Sequence, residues 1–387
     1  MTAALALARS GFRVVVLEQA ERLEETGAGI QLSPNAARTL IGLGLEEQLR
    51  AQAAAPAALH VFDAQSGSEI VRMPLGNAAT QRYGAPYWVI HRGDLQAALA
   101  GVVGQNSSVT LKLGTRVEDF AIQTNGVTVS GRNATDVLSE TGTAFIAADG
   151  LWSATRKRLG HDVAPRFARR TAWRALLPAK DVSPAFTEPL VRLWLGPAAH
   201  LVHYPVKAGS LINIVLIVDD TWNAPGWSEP ASRADLLRRI SKSDWAEQAL
   251  SLINTPENWL KWALYDLKPL SRWSEGPVAL LGDAAHPMLP YLAQGAAMAI
   301  EDAAVVAHCL ARTPHDPATA LRSYWAARSA RAQKVQRLAA RNGARYHLSG
   351  VRAKVRNLAM HALGGARLLH HYDWLYDWRP PAAVSLT

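Results

Sequence analysis

The chain has 387 residues, 49% hydrophobic and 19% charged, with a formal charge of +9. That length allows two or three domains, or one large α/β unit with an insertion, and the composition is that of a globular chain with a sizeable core. One cysteine, Cys309, excludes an intrachain disulfide and a cysteine-ligated metal cluster; no apolar run reaches the length of a membrane span. The basic residues are scattered, which argues against a nucleic-acid stripe and favours anionic ligands. The denser run at 322–341 alternates with apolar residues at helical spacing and reads as a solvated helix face. Met1 leads straight into a helical pattern, so no secretory signal is expected. A cytoplasmic location fits the lone cysteine.

In chain order, residues 2–10 predict an Ala-rich helix stopped by Gly11. The run at 12–17 predicts a strand buried in a parallel sheet and ending at Glu18. Helix, tight turn, strand and terminal acid make the second half of a dinucleotide-binding βαβ unit, where the acid takes ribose hydroxyls. The Gly-rich segment 27–36 reads as flexible and leads into a helix at 36–43. Runs at 59–62 and 69–73 bracket a hairpin turn. His91-Arg92-Gly93-Asp94 precedes a helix, with Asp94 as the expected N-cap and Arg92 placed to reach a phosphate or ring carbonyl. Strands follow at 109–113, 117–122, 127–130 and 143–147. The last stops at Asp149-Gly150, before a short helix around Ser153 and Arg156.

From 166 to 266 strands dominate, at 171–176, 191–195, 200–205, 211–218 and 259–265, with two helices between them. This predicts a sheet able to close over a pocket. The apolar run 278–281 then reads as a buried strand. Gly282-Asp283 forms the turn at its carboxyl end, Pro287 and Pro290 hold an extended segment, and Gln294-Gly295-Ala296 opens a small-residue helix. Ligands of open α/β sheets bind beyond the carboxyl ends of strands and at helix N-termini. Gly-Asp alone is an ordinary turn; the whole stretch is far more specific. From 318 onward the chain reads as helical.

Together, Glu18, Asp149-Gly150 with Ser153 and Arg156, and Gly282-Asp283 with its Pro-rich continuation resemble the group A FAD-dependent aromatic hydroxylases, the branch of salicylate hydroxylase and 3-hydroxybenzoate 6-hydroxylase. Gly27-Ala28-Gly29-Ile30-Gln31, His91-Arg92-Gly93-Asp94-Leu95, Ala172-Trp173-Arg174-Ala175, Tyr204-Pro205 and Tyr376-Asp377-Trp378-Arg379-Pro380 extend the resemblance over nearly the whole chain. It implies an α/β fold with a Rossmann-like FAD-binding domain, an inserted β-sheet substrate domain and a helical C-terminal tail. The expected division is 1–165 and 267–317 for FAD, 166–266 for substrate and 318–387 for the tail, with the 57–75 hairpin free to join the substrate sheet. The family's first strand and Gly-x-Gly-x-x-Gly loop would lie ahead of Met1. The expectation is a native start roughly 20 residues earlier and poor FAD binding without that segment.

The chemistry implied is reduction of FAD by NADH or NADPH, addition of O2 to give a flavin C4a-hydroperoxide, and oxygen transfer to a phenolic aromatic acid. By position, Glu18 would hold the adenosine ribose and Asp283 the ribitol. Arg92 would hold the flavin or its phosphate, and Asp149 and Gly150 would serve both nucleotides, with Arg156 beside the nicotinamide one. The helix start at Gly295 and Ala296 would stabilise the reduced ring. Gln31, Gly282 and Pro287 complete the cofactor-binding set. His200, Tyr204 and Gln294 are the candidates for substrate activation, because a phenol must approach the phenolate and a histidine suits that task. His200 and Tyr204, four apart on a strand, share a face; His203 faces the other way and is next in line. His286 and His370-His371 lack partners at metal-ligand spacing, so no metal is expected. No nucleic-acid or membrane partner is expected, and a homodimer is left open. The alternatives are hydroxylation of a larger ring, such as a quinone precursor or polycycle, and a truncated non-catalytic flavoprotein.

Overall fold

A computed structural model describes residues 1–23, 28–224, 226 and 228–382. Gly27 of the Gly-rich segment lies outside the described residues. The first unit is α/β, and its core packs the helices Thr2–Arg9, Pro34–Gly42 and Gly295–Arg312 together with the strand Val278–Leu280. Val14–Leu17 pairs in parallel with Val109–Lys112, and Phe145–Ala147 pairs in parallel with Val278–Leu280. These two pairs belong to separate sheets, with no strand between them among the described residues.

Gly29–Leu32, read from sequence as flexible, is a strand. It pairs antiparallel with Trp88–His91, so its register is fixed by a partner more than fifty residues away. Asp94 is not an N-cap: the helix Arg92–Gly104 begins at Arg92, and Asp94 sits in its first turn, 3.1 Å from Lys207. An acid there still meets the positive end of the helix dipole.

The second unit is an eight-stranded sheet. Its central strands Asn258–Asp266, Arg166–Pro178, Leu211–Asp219, Ala199–Val206 and Val191–Gly196 lie side by side, all antiparallel. The hairpin Ala58–Asp63 and Glu69–Pro74 extends the same sheet through a parallel pairing with Val191–Gly196. Alternation along the strands separates two faces. Trp173, Leu201, Ile214, Leu216, Trp194 and Trp259 pack on the outer face with the short helices around 233–254. Tyr204, Ala172 and Ile217 point inward, against Met288, Leu289, Tyr291 and Leu292 of the segment after the Gly-Asp turn. Register places His200, Ile217 and Ala172 in one inner row, Val202, Val215 and Arg174 in the next, and Tyr204, Asn213 and Leu176 in a third.

The tail is the 30-residue helix Pro317–Tyr346 followed by Gly350–Leu363, Gly365–His371 and Asp373–Tyr376. In the 322–341 run Arg322, Lys334, Arg337 and Arg341 are exposed, as the spacing suggests, but Arg328 is not. Arg328 is only 1% exposed and meets two carboxylates of the helix Gly295–Arg312. No helix of the described residues is long and apolar enough to cross a membrane.

Candidate active site

The Gly282 turn has a left-handed backbone (φ +61) that favours glycine, and it leaves Asp283 accessible. The Asp283 carboxylate has exposed area yet is walled by protein, and burial pushes its pKa up against the pull of His286 and Arg92. It accepts no hydrogen bond from a described residue. Beside it the helix Gly295–Arg312 begins. Its first internal N–H bond runs from Met298 to Gln294, which leaves the N–H groups of Gly295 to Ala297 without a backbone acceptor. An unpartnered carboxylate facing a free helix N-terminus fits a ligand that is rich in hydroxyls on one part and anionic on another, as FAD is. Gly150 (φ +74) has open space at the place of a Cβ, and Asp149 accepts a hydrogen bond from the Thr155 N–H at 3.0 Å. Glu18 stands half-buried at the end of its strand and accepts from the Ala20 N–H at 2.9 Å.

Arg156, expected beside the nicotinamide nucleotide, has partners within the protein. It is buried and donates to the carbonyls of Ala284 (3.0 Å) and Leu151 (2.6 Å), tying the Gly-Asp turn to the Asp149-Gly150 loop. Gln294 is buried as well. Its amide donates to Ser33 Oγ at 2.8 Å and accepts from Asn35 at 3.2 Å. Asn35 in turn donates to Glu301 at 2.7 Å. Gln294 therefore joins the strand–helix segment after Gly29 to the helix Gly295–Arg312. Pro287 is buried, and its carbonyl accepts from Gln336 of the tail at 2.9 Å. His286 Nε2 meets Asp302 at 2.5 Å, and no metal-binding cluster occurs among the described residues.

The sheet's inner face supplies a further group of polar side chains. Gln31 accepts a hydrogen bond from Tyr87 at 2.6 Å, and its amide also faces the Tyr204 hydroxyl. Gly29 lies against Tyr204 so closely that a Cβ there would stand 2.6 Å from Cε2. Its N–H donates to Asn213 at 2.7 Å, which draws the first unit onto the sheet. Arg174 stacks over Trp262 at 3.8 Å, and its buried Nε has no partner. Burial, and then the nearby Arg92, bring its pKa to about 10, so it remains a cation at neutral pH. His200 faces Tyr291 and Tyr346, with Nδ1 2.8 Å from His347 Nε2. His203 is on the outer face against Trp194 and Phe186, with burial lowering its pKa to about 3, which removes it as an alternative. Arg174, Tyr87, Asn213, Ser33 and His347 were not singled out as site residues from sequence. For Arg174 the available signal was a lone charge inside an apolar strand.

Comparison with known proteins agrees with this arrangement. The FAD binding domain family matches residues 1–339. The chain is 36% identical over 377 residues to 3-hydroxybenzoate 6-hydroxylase 1 of Aquipseudomonas alcaligenes, covering 97% of this chain and 94% of that one. It is 36% identical over 385 residues to 3-amino-4-hydroxybenzoate 2-monooxygenase PtmB3 of Streptomyces platensis, covering 98% and 93%. Among solved structures it is similar to Klebsiella pneumoniae HpxO complexed with FAD and uric acid, with TM-score 0.83, 27% identity and coverage of 96% and 92%. It is also similar to a salicylate hydroxylase substrate complex, with TM-score 0.78, 26% identity and coverage of 97% and 99%. The fold is that of the flavoprotein hydroxylases. The chain belongs to the FAD binding domain family, and it is an FAD-dependent aromatic monooxygenase.

Proposed function

We propose that this enzyme hydroxylates a small phenolic acid of the hydroxybenzoate type, with NADH or NADPH and O2 as co-substrates. The observation that carries the substrate class is Arg174. Arg174 is half-buried, with a buried Nε that has no partner and no carboxylate beside it, and such a desolvated guanidinium is unfavourable unless a ligand supplies the anion. Its row on the sheet lies between those of His200 and Tyr204, so a carboxylate on Arg174 leaves the ring between these two side chains. Trp262 beneath it orients the planar fork. The relatives named for hydroxybenzoate and amino-hydroxybenzoate chemistry support the same class.

In this reading Asp283, Arg92, Gln31, Gly282, Pro287, Gly295 and Ala296 hold the flavin end of FAD, with Glu18 toward the adenosine and Asp149 and Gly150 along the nucleotide path. Bound FAD would supply the activation of O2, which is the source of the transferred oxygen atom. The chain supplies orientation, exclusion of water and removal of the phenol proton. Tyr204 fixes the ring through its hydroxyl, and His200 accepts the phenol proton. Gln294 holds the helix start in place through Ser33 and Asn35. Residues 166–266 with the 57–75 hairpin form the substrate unit, 1–165 and 267–317 the FAD unit, and 318–387 a brace across both. The half-buried Cys309, the sole cysteine, supports a cytoplasmic location; a homodimer rests on the resemblance alone.

The test is Arg174→Met, with 3-hydroxybenzoate and phenol as probe ligands. Loss of a charge-assisted contact of about 1.5–3 kcal/mol predicts a weakening of roughly 10- to 100-fold for the acid and none for phenol. Thermal stability without ligand should hold or rise, since a desolvated charge is removed. Equal weakening of both ligands, or of neither, would show that Arg174 does not read the carboxylate.

A further inference from the structure

The inner face of the sheet holds a chain of short polar contacts that leads out of the cleft. His200 Nδ1 lies 2.8 Å from His347 Nε2, and His347 Nδ1 lies 2.7 Å from Asp219 Oδ1. Both imidazoles are buried, His200 at 2% exposure, whereas the Asp219 side chain is 48% exposed. The three residues come from different elements. His200 is on the strand Ala199–Val206, Asp219 ends the strand Leu211–Asp219, and His347 caps the carboxyl end of the helix Pro317–Tyr346. Arg170 donates to the same Asp219 oxygen at 2.8 Å and to the Tyr291 hydroxyl at 3.2 Å.

We propose that His347 and Asp219 form the proton path that connects substrate-facing His200 to solvent. The proposal rests on the reading of His200 as the group that accepts the phenol proton. The carboxylate end fixes the direction of every hydrogen bond. Asp219 as an anion only accepts, so His347 carries its hydrogen on Nδ1 and accepts at Nε2. His200 must then carry its hydrogen on Nδ1, which leaves the Nε2 lone pair as the basic atom; Nε2 has no partner among the described residues. When the phenol O–H bond breaks, its proton bonds to His200 Nε2. The Nδ1 proton of His200 passes to His347 Nε2, and the Nδ1 proton of His347 passes to Asp219 Oδ1 and on to water. The substrate is left as phenolate, and one proton has left the cleft with charge balanced at each transfer.

The surroundings favour transit over storage. His200 is faced by Tyr291 and Tyr346, with Arg170 near enough to oppose a resting positive charge. His347 is flanked by Arg170 and Arg356 on one side and Asp219 on the other. Burial, more than these charges, lowers the pKa of both imidazoles. Burial raises that of Asp219, but the hydrogen bonds from His347 and Arg170 outweigh it and keep the group ionised. The negative end of the long helix lies at His347, where it eases the passing charge.

The experiment compares His347→Gln, His347→Gly and Asp219→Asn with the parent holoenzyme, using 3-hydroxybenzoate as probe. Flavin content and probe affinity should stay within about twofold. Hydroxylation should fall roughly 10- to 100-fold, up to the lower end of general-base contributions, as suits a group acting through the base, and its pH profile should move upward toward the phenol's own ionisation. Imidazole added to His347→Gly should restore the rate. A His347→Gln enzyme with parental rate and pH profile would overturn the path, as would a flavin-loaded His347→Gly that imidazole does not rescue. If the His347 variants do not hold flavin, Asp219→Asn decides at the solvent end: a raised solvent isotope effect supports the path, and an unchanged one overturns it. His200→Ala separates the two ideas. If it too hydroxylates normally, the reading of His200 itself fails; if it alone is impaired, only the path does.

Discussion

Tyr204 shows how much one hydroxyl can decide. Its ring is buried against the backbone of Gly29, and burial pushes the phenol pKa above its ordinary value, so the group is a neutral donor rather than a phenolate. Tyr204→Phe keeps the ring and its packing but removes the contact toward Gln31 and the substrate. We expect flavin content to be unchanged and hydroxylation to fall about tenfold, the scale of one hydrogen bond in a closed site. NAD(P)H oxidation should then yield more hydrogen peroxide per turnover. Product yield equal to the parent would remove Tyr204 from the site. Gln294 is a different case. It was read from sequence as a candidate for substrate activation, but its amide is engaged with Ser33 and Asn35, which makes it a positioning residue in the present reading.

At the level of the element, the helix Gly295–Arg312 is held by charge in its middle. Glu301 and Asp302 are fully buried, and Arg328 bridges them at 2.6 and 2.7 Å. Arg331 adds a second cation to Glu301, while His286 and the Gly282 N–H both reach Asp302. The Gly-Asp turn, the flavin-side helix and the tail thus share one network. Breaking a buried pair from one side typically costs about 3–5 kcal/mol, because a charge is left unpaired. Arg328→Met should therefore lower the melting temperature markedly and release flavin, as followed by thermal unfolding and bound-flavin absorbance. A variant that melts with the parent would refute the role. Burial raises the Asp302 carboxyl, yet His286 and Arg328 outweigh it and hold the pKa at about 2. The folded value lies below the unfolded one, so this stabilisation is complete above about pH 4. It should be lost as pH falls toward 2, which an acid titration of unfolding would register.

For the molecule as a whole, the bonds between the two units include Gly29 N–H to Asn213, Lys207 to Asp94 and Arg170 to the Tyr291 hydroxyl. Asn213 is fully buried, so removing its carbonyl strands a donor at about 1–3 kcal/mol. Asn213→Ala should loosen the seating of the Gly29–Leu32 strand on the sheet and uncouple NAD(P)H oxidation from hydroxylation, with FAD retained. Coupling measured as product per NAD(P)H would fall; a parental ratio would mean that the contact does not set closure.

The sequence alone determined the local pieces: the strands of the substrate sheet, the hairpin at 58–74, the Gly-Asp turn, and the common face of His200 and Tyr204 opposite His203. These follow from alternation, glycine and proline, which act over a few residues. The Gly29–Leu32 strand escaped because its partner, Trp88–His91, is distant in the chain. Only the tertiary structure decided the fate of the charges. Arg328 has the spacing of a solvated face and is buried; Arg174 sits in an apolar strand, stacked on Trp262 with no partner at its buried Nε; His347 and Asp219 are 128 residues apart and hydrogen-bonded. Whether a charge is solvated, paired or held for a ligand depends on what packs against it, and packing joins residues that no local pattern connects.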